Sequence, residues 1–273
     1  MTINCKGSLI DISSPKVMGI LNITPDSFYD GGKYSSDFDI INQTEKMLLE
    51  GATFIDVGAY SSRPGAQHIS EDEELNRILP IIDLLVKEFS EIIISVDTFS
   101  SKVAKETIKA GAAIINDISG GNLDDNMFKT IAELQVPYIL MHMLGTPQNM
   151  QLNPNYENII QEITKYFAEK LYKLHQLNVN DVIIDMGFGF GKTATHNFEI
   201  LKNLPYFKNL DSPILVGISR KSMLYKTLNI TPKEALNATT SANTIALLNG
   251  ANILRVHDVK EAIEAIKIVE QIL

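Results

Sequence analysis

The chain of 273 residues has one cysteine, no tryptophan and a shortage of positive charge. A lone thiol, Cys5, can form neither an intrachain disulfide nor a multi-cysteine zinc site, which fits a reducing compartment and makes the cytoplasm the expected location. Lys and Arg number 24 against 33 Asp and Glu, for a formal charge of -9 and a pI near 5.1. Nucleic acid and anionic membranes call for a basic face, so neither is an expected partner. No apolar run approaches the roughly 18 residues of a membrane span, and the opening MTINCKGSLID has no apolar core of signal-peptide type.

Several motifs are missing as well. The glycine-rich GFGFGKT at 187–193 has Met186 where a Walker A loop requires Gly, and it does not follow the G-x-G-x-x-G dinucleotide fingerprint. Its glycines read as room for close approach of a ligand beneath a loop, with a plain flexible turn as the alternative. There is no H-E-x-x-H pair and the five histidines are scattered, so a metal would be oxygen-ligated Mg²⁺ rather than zinc.

What the chain does contain is a repeated unit. EGATFIDVG (50–58), KAGAAIINDI (109–118) and NGANILRVH (249–257) each run from a helix-like stretch through Gly into a β-rich segment with a polar end. Gly at that point is the usual left-handed helix terminator. Extended along the chain, the pattern predicts strands near 17–22, 54–58, 92–97, 113–117, 137–142, 182–186, 214–217 and 252–256. Helices are predicted near 37–50, 70–89, 100–110, 125–135, 155–177, 195–204, 232–248 and 258–272. Strands almost continuous in Ile, Val and Leu suit a parallel sheet buried on both faces. The best fit is an α/β chain forming a single (β/α)₈ TIM barrel over 1–273, with 1–14 as a short N-terminal lid; a doubly wound open sheet is the runner-up. Pro80 should kink the second helix.

In such a barrel the active site lies at the carboxyl ends of the strands. Here those ends carry Asn22, Asp56, Asp97, Asn116 with Asp117, His142, Asp185, Arg255 and His257, and Lys221 follows the seventh. Any one of them could be a helix cap or turn former, and for Asp56 and Asp117 that reading is as good as a functional one. Capping does not explain a ring that includes Lys, Arg and His. Loops from strand to helix are also the long ones, at 23–36, 59–69, 143–154 and 218–231, where loops usually run to roughly 4–6 residues.

LNITPDSFYDGG, SSRPGA (61–66), MHMLGTPQNMQ (141–151), GFGFGK (187–192), GISRKSM (217–223) and RVHDV (255–259) together resemble the dihydropteroate synthase family. The resemblance runs in order from residue 17 to 262. It implies a transferase of folate synthesis, usually a homodimer, that joins 6-hydroxymethyl-7,8-dihydropterin pyrophosphate to p-aminobenzoate and is blocked by sulfonamides. It assigns Asp97, Asn116, Asp185 and Lys221 to the pterin. Asn22, Ser62, Arg63, Arg255 and His257 go to the pyrophosphate, with Asn22 also on Mg²⁺. Phe28, Arg63, Pro64, Phe190 and Ser222 line the p-aminobenzoate slot, Ser222 at the start of a short helical stretch. Asn22, Lys221, Arg255 and His257 form the catalytic set, expected to act by a dissociative, S_N1-like path.

Two departures stand out. The family's G-G-E-S-T-R-P-G becomes Gly58-Ala59-Tyr60-Ser61-Ser62-Arg63-Pro64-Gly65, and Met186 replaces the Pro of D-P-G-F-G-F-G-K. Two other readings stay open: a pterin-binding methyltransferase barrel, against which Arg255, His257 and the TPDSF loop argue, and a non-catalytic pterin-binding paralogue. Arg255→Ala is expected to abolish turnover with the fold intact.

Overall fold

The computed structural model describes residues 1–23, 37–60 and 69–272. A hairpin of β1 (Thr2–Cys5) and β2 (Ser8–Asp11) precedes β3 (Lys16–Asn22), β4 (Phe54–Gly58), β5 (Ile94–Asp97), β6 (Ile114–Asp117), β7 (Tyr138–Met141), β8 (Val182–Asp185), β9 (Ile214–Val216) and β10 (Ile253–Val256). Between and after them come α1 (Asp37–Leu49), α2 (Glu71–Glu88), α3 (Ser101–Ala110), α4 (Met127–Leu134), α5 (Ile159–Gln176), α6 (Ala194–Lys202), α7 (Ser222–Tyr225), α8 (Leu236–Leu248) and α9 (Val259–Val269). Strands β3 to β10 pair in parallel, each with its neighbours in sequence, and β10 returns to β3. That closure excludes the open sheet and makes the fold a (β/α)₈ barrel.

Local chemistry explains the repeat. Gly51, Gly111 and Gly250 have φ of 104°, 118° and 96°, so each turn from helix to strand passes through a left-handed residue that costs glycine little. At the other helix ends, Ser70 and Ser100 accept the backbone N–H of Glu73 and Val103. Asp97 is therefore not the cap of α3, and α9 is entered at Asp258 rather than at His257. Helix α2 runs from Glu71 to Glu88 without a break at Pro80.

Side chains alternate along each strand, and the two sets serve different cores. One set, with Val17, Ile55, Val57, Ile115, Tyr138, Leu140 and Ile184, packs outward with the helices. The other, Met18, Phe54, Ile114, Ile139, Ile183, Leu215 and Ile253, fills the barrel with Ile3, Cys5 and Ile12. The hairpin thus seals the amino end of the barrel: Asn4 N–H donates to Asp181 just before β8 (2.9 Å), and Lys6 to the Gly111 carbonyl just before β6 (3.0 Å). No helix among the described residues is long and apolar enough to cross a membrane.

Candidate active site

Two residues beyond the apolar floor, on the same inward face, four of the strands turn polar. Phe54 is followed by Asp56, Ile114 by Asn116, Ile183 by Asp185 and Ile253 by Arg255. Asp56, fully buried, is the hub of this layer. It accepts from Ser95 Oγ (2.6 Å), Asn116 Nδ2 (3.1 Å) and Arg255 Nε (2.6 Å), while Arg255 Nη2 reaches Asp97 Oδ2 (3.1 Å). Sequence reasoning left Asp56 undecided between cap and site; it belongs to the site. Asp117 is the turn former: on the outward face it accepts from Ser119 N–H, Gly121 N–H and the Tyr138 hydroxyl.

Asn116 and Asp185 carry acceptors open to a ligand. Among the described residues the buried Asn116 Oδ1 has no partner, and Asp185 accepts the Gly187 N–H (2.8 Å) through one oxygen. Burial pushes the Asp185 carboxyl up, against the pull of Lys221 and Arg255. Asp97 is likewise pushed up by burial, opposed by Arg255 and assisted by Asp56 and Glu74.

Lys221 enters from the loop after β9, directly before α7. Its ammonium donates to the Phe188 carbonyl and lies 4.6 Å from the centre of the Phe190 ring. Burial lowers it to about 8. Ser222 opens α7, as the sequence indicated.

Beyond β10, Ser219 Oγ accepts the His257 backbone N–H (3.3 Å) and lies 3.0 Å from Nδ1. With a second lone pair on its oxygen and a hydrogen of its own, the Ser219 hydroxyl pairs with Nδ1 in either ring tautomer. Burial and the charge of Arg255 lower the imidazole to about 4, so it is neutral at pH 7. Next to this contact, Arg220 is clamped bidentately to Asp258 (2.7 and 2.8 Å) and donates to the Pro232 and Lys233 carbonyls. Ser219, Arg220 and Asp258 escaped the sequence reading, although all three lie inside motifs it quoted.

Asn22 ends β3 half-buried, and among the described residues nothing hydrogen-bonds its amide. Its Oδ1 faces Gly58, 3.5 Å from where a Cβ would stand. Tyr60, in place of the family's Glu, packs edge-on against Phe99 at 4.8 Å. Met186 is buried in the outer core. Phe28, Ser62, Arg63 and Pro64 lie outside the described residues.

The glycine-rich turn departs from its reading as ligand room. Gly187, Gly189 and Gly191 all have positive φ, at 65°, 83° and 64°. A Cβ on Gly187 would meet the His142 carbonyl oxygen at 2.0 Å, and one on Gly191 the Leu144 carbonyl at 2.7 Å. These two make room for the neighbouring loop. Only Gly189 borders a site residue, with Lys221 Cδ 3.4 Å from its Cβ position.

A family model described as pterin binding enzyme matches residues 18–257. The dihydropteroate synthase of Escherichia coli (strain K12) is 43% identical over 272 residues, covering 99% of this chain and 96% of that protein. The chain belongs to the dihydropteroate synthase family. It is thereby a transferase of folate synthesis, and the solved structures of the family agree on its shape. Yersinia pestis dihydropteroate synthase, solved with a sulfonamide drug complex, superposes with a TM-score of 0.95 at 40% identity, covering 100% of this chain and 99% of that one. Xanthomonas albilineans dihydropteroate synthase has been solved with 4-aminobenzoic acid (TM-score 0.91, 33% identity, 99% and 97% covered). The same enzyme with 7,8-dihydropteroate gives 0.88 at 30% identity, covering 100% and 98%.

Proposed function

We propose that this enzyme transfers the 7,8-dihydropterin-6-ylmethyl unit of 6-hydroxymethyl-7,8-dihydropterin pyrophosphate to the amine of p-aminobenzoate, releasing pyrophosphate and 7,8-dihydropteroate. The observation that carries the reading is that the Asp185 carboxylate, beside the Lys221 ammonium, and the buried Asn116 Oδ1, unpartnered among the described residues, both stand on the inward face at strand ends. Acceptors of this kind suit the adjacent N–H donors of a 2-amino-4-oxo pyrimidine edge, and a carboxylate can take two of them at once. Lys221 is then the donor for the ring carbonyl or nitrogen. The aminobenzoate and dihydropteroate complexes of the Xanthomonas relative support the substrate pair.

The C–O bond at the pterin methylene breaks with both electrons leaving on pyrophosphate; the aryl amine nitrogen forms the new bond and loses a proton. A dissociative path asks for charge stabilisation and positioning rather than a covalent nucleophile. Arg255 holds Asp56 and Asp97 through Nε and Nη2, and among the described residues Nη1 is not hydrogen-bonded, which leaves it for the diphosphate. His257 contributes a neutral imidazole from the same strand end. Ser62 and Arg63 join this anion site in the proposal, and Phe28, Arg63, Pro64, Phe190 and Ser222 form the aminobenzoate slot.

Mg²⁺ is part of the proposal. No group of three or more His, Cys, Asp or Glu among the described residues could hold a metal alone. The uncommitted amide oxygen of Asn22 suits an ion that keeps most of its ligands as water and substrate phosphate. When bound, Mg²⁺ would neutralise charge on the departing pyrophosphate, with Asn22 as its protein ligand. A cytoplasmic homodimer completes the reading; exposed Ile245 and Leu248 on α8 and Ile268 on α9 offer apolar surface for a second subunit to cover. Sulfonamides, as p-aminobenzoate mimics, should compete for the slot.

The test is pyrophosphate release with Mg²⁺, dihydropterin pyrophosphate and p-aminobenzoate, each omitted in turn. Release that needs all three is expected. Pterin binding without release would instead indicate a binding paralogue.

A further inference from the structure

We infer that Lys192 is a positioning residue: its ammonium sews the loop after β7 to the turn after β8 and thereby sets where Lys221 stands for the pterin. The inference rests on the pterin reading for its consequence, though not for its geometry. Lys192 is 3% exposed, and its Nζ lies 2.9 Å from His142 Nδ1, 3.1 Å from the His142 carbonyl and 3.0 Å from the carbonyls of both Gly187 and Phe190. No carboxylate among the described residues pairs with it. A buried ammonium without a carboxylate partner is costly, and burial lowers this one to about 7. Only an ammonium carries three hydrogens that can fan out to acceptors converging from two loops.

The turn is suspended by side chains through every one of its carbonyls. Gly187 and Phe190 go to Lys192, Phe188 to Lys221, Gly189 to Gln151 Nε2 (2.6 Å) and Gly191 to the Tyr156 hydroxyl (2.8 Å). The glycines let the two loops touch, since Gly187 and Gly191 lie against the His142 and Leu144 carbonyls. So His142, Gln151 and the GFGFGK run, which the ligand assignments left unexplained except for Phe190, form one unit. That unit presents to Lys221 both a carbonyl, from Phe188, and a ring face, from Phe190. Release of the Gly187 and Phe190 carbonyls from Lys192 frees both of these contacts to shift.

Lys192→Met keeps length and removes the donors. Its KM for dihydropterin pyrophosphate should rise about tenfold or more, as a misplacement near 1 Å can produce, with kcat and the p-aminobenzoate KM changed less. Trace acetylation with acetic anhydride, read by peptide mass without substrate, should label Lys221 several-fold faster than in wild type. Tyr156→Phe, which removes one tether and leaves the core intact, should move both readouts in the same direction by a smaller factor and keeps the test alive if Lys192→Met does not fold. A lowered Tm with unchanged pterin KM and unchanged Lys221 labelling would reduce Lys192 to a stability role and overturn the inference. If wild type does not use the pterin substrate but the labelling still rises, the positioning stands and the functional reading falls.

Discussion

Glu74 allows a sharp test of how burial governs this protein. It lies in the first turn of α2, 3% exposed, with Oε1 unpartnered among the described residues and near Thr98, Glu71, Asp97 and Tyr60. Burial pushes its carboxyl from the ordinary 4.5 up to about 7, with Glu71 adding and the Thr98 hydrogen bond opposing. A folded value above the unfolded one means that the native state holds the proton more tightly. The resulting stability is present in full below pH 4.5 and is lost as the pH rises through 7. A shift of this size corresponds to about 3 kcal/mol. Glu74→Gln keeps the shape and abolishes the titration. Urea unfolding of both proteins from pH 4.5 to 8 should show the advantage of wild type over the variant shrinking by about 3 kcal/mol across that window. Any fixed cost of the substitution cancels in this comparison. A wild-type-minus-variant difference that stays constant with pH would refute the reasoning, since Glu74 would then be ionised in the fold from the start.

Arg255→Ala should abolish turnover, but the fold will not be indifferent to it. Removing the guanidinium leaves Asp56 and Asp97 buried and uncompensated, at a cost of about 3–5 kcal/mol, and adding Asp56→Asn should recover part of this in thermal melts without restoring activity. Gly187→Ala and Gly189→Ala share a left-handed backbone, yet only the first drives a Cβ into a neighbouring carbonyl. Gly189→Ala should lower stability by about 1–2 kcal/mol and weaken pterin binding, whereas Gly187→Ala should lose folded protein in expression and circular dichroism.

Most of the barrel was legible because parallel strands and terminating glycines leave strong marks. The 3₁₀ helix over Leu204–Leu210 is an addition too short to have a period. Within the site, the choice between Asp56 and Asp117 was open on composition but closed by parity. Asn116 and Asp117 are consecutive in a strand and cannot both face inward, while Asp56 shares its face with Phe54. Lys192 was harder to see. Its partners are backbone carbonyls and a histidine 50 residues away, and carbonyls have no residue type to read. Arg255 was assigned to an anion, yet its bonds to Asp56 and Asp97 depend on the register of four strands, which only closure of the sheet fixes.

The hairpin of β1 and β2 has an evolutionary consequence. By stoppering one end of the barrel it divides mutational tolerance along the axis. The base is maintained by apolar fit among residues such as Ile3, Phe54 and Ile253, while the rim is free to trade loops and acquire new preferences without unsealing the vessel. A fusion ahead of the exposed Met1 would likewise be tethered at the pole opposite the chemistry, where a second enzyme could be added without crowding the first.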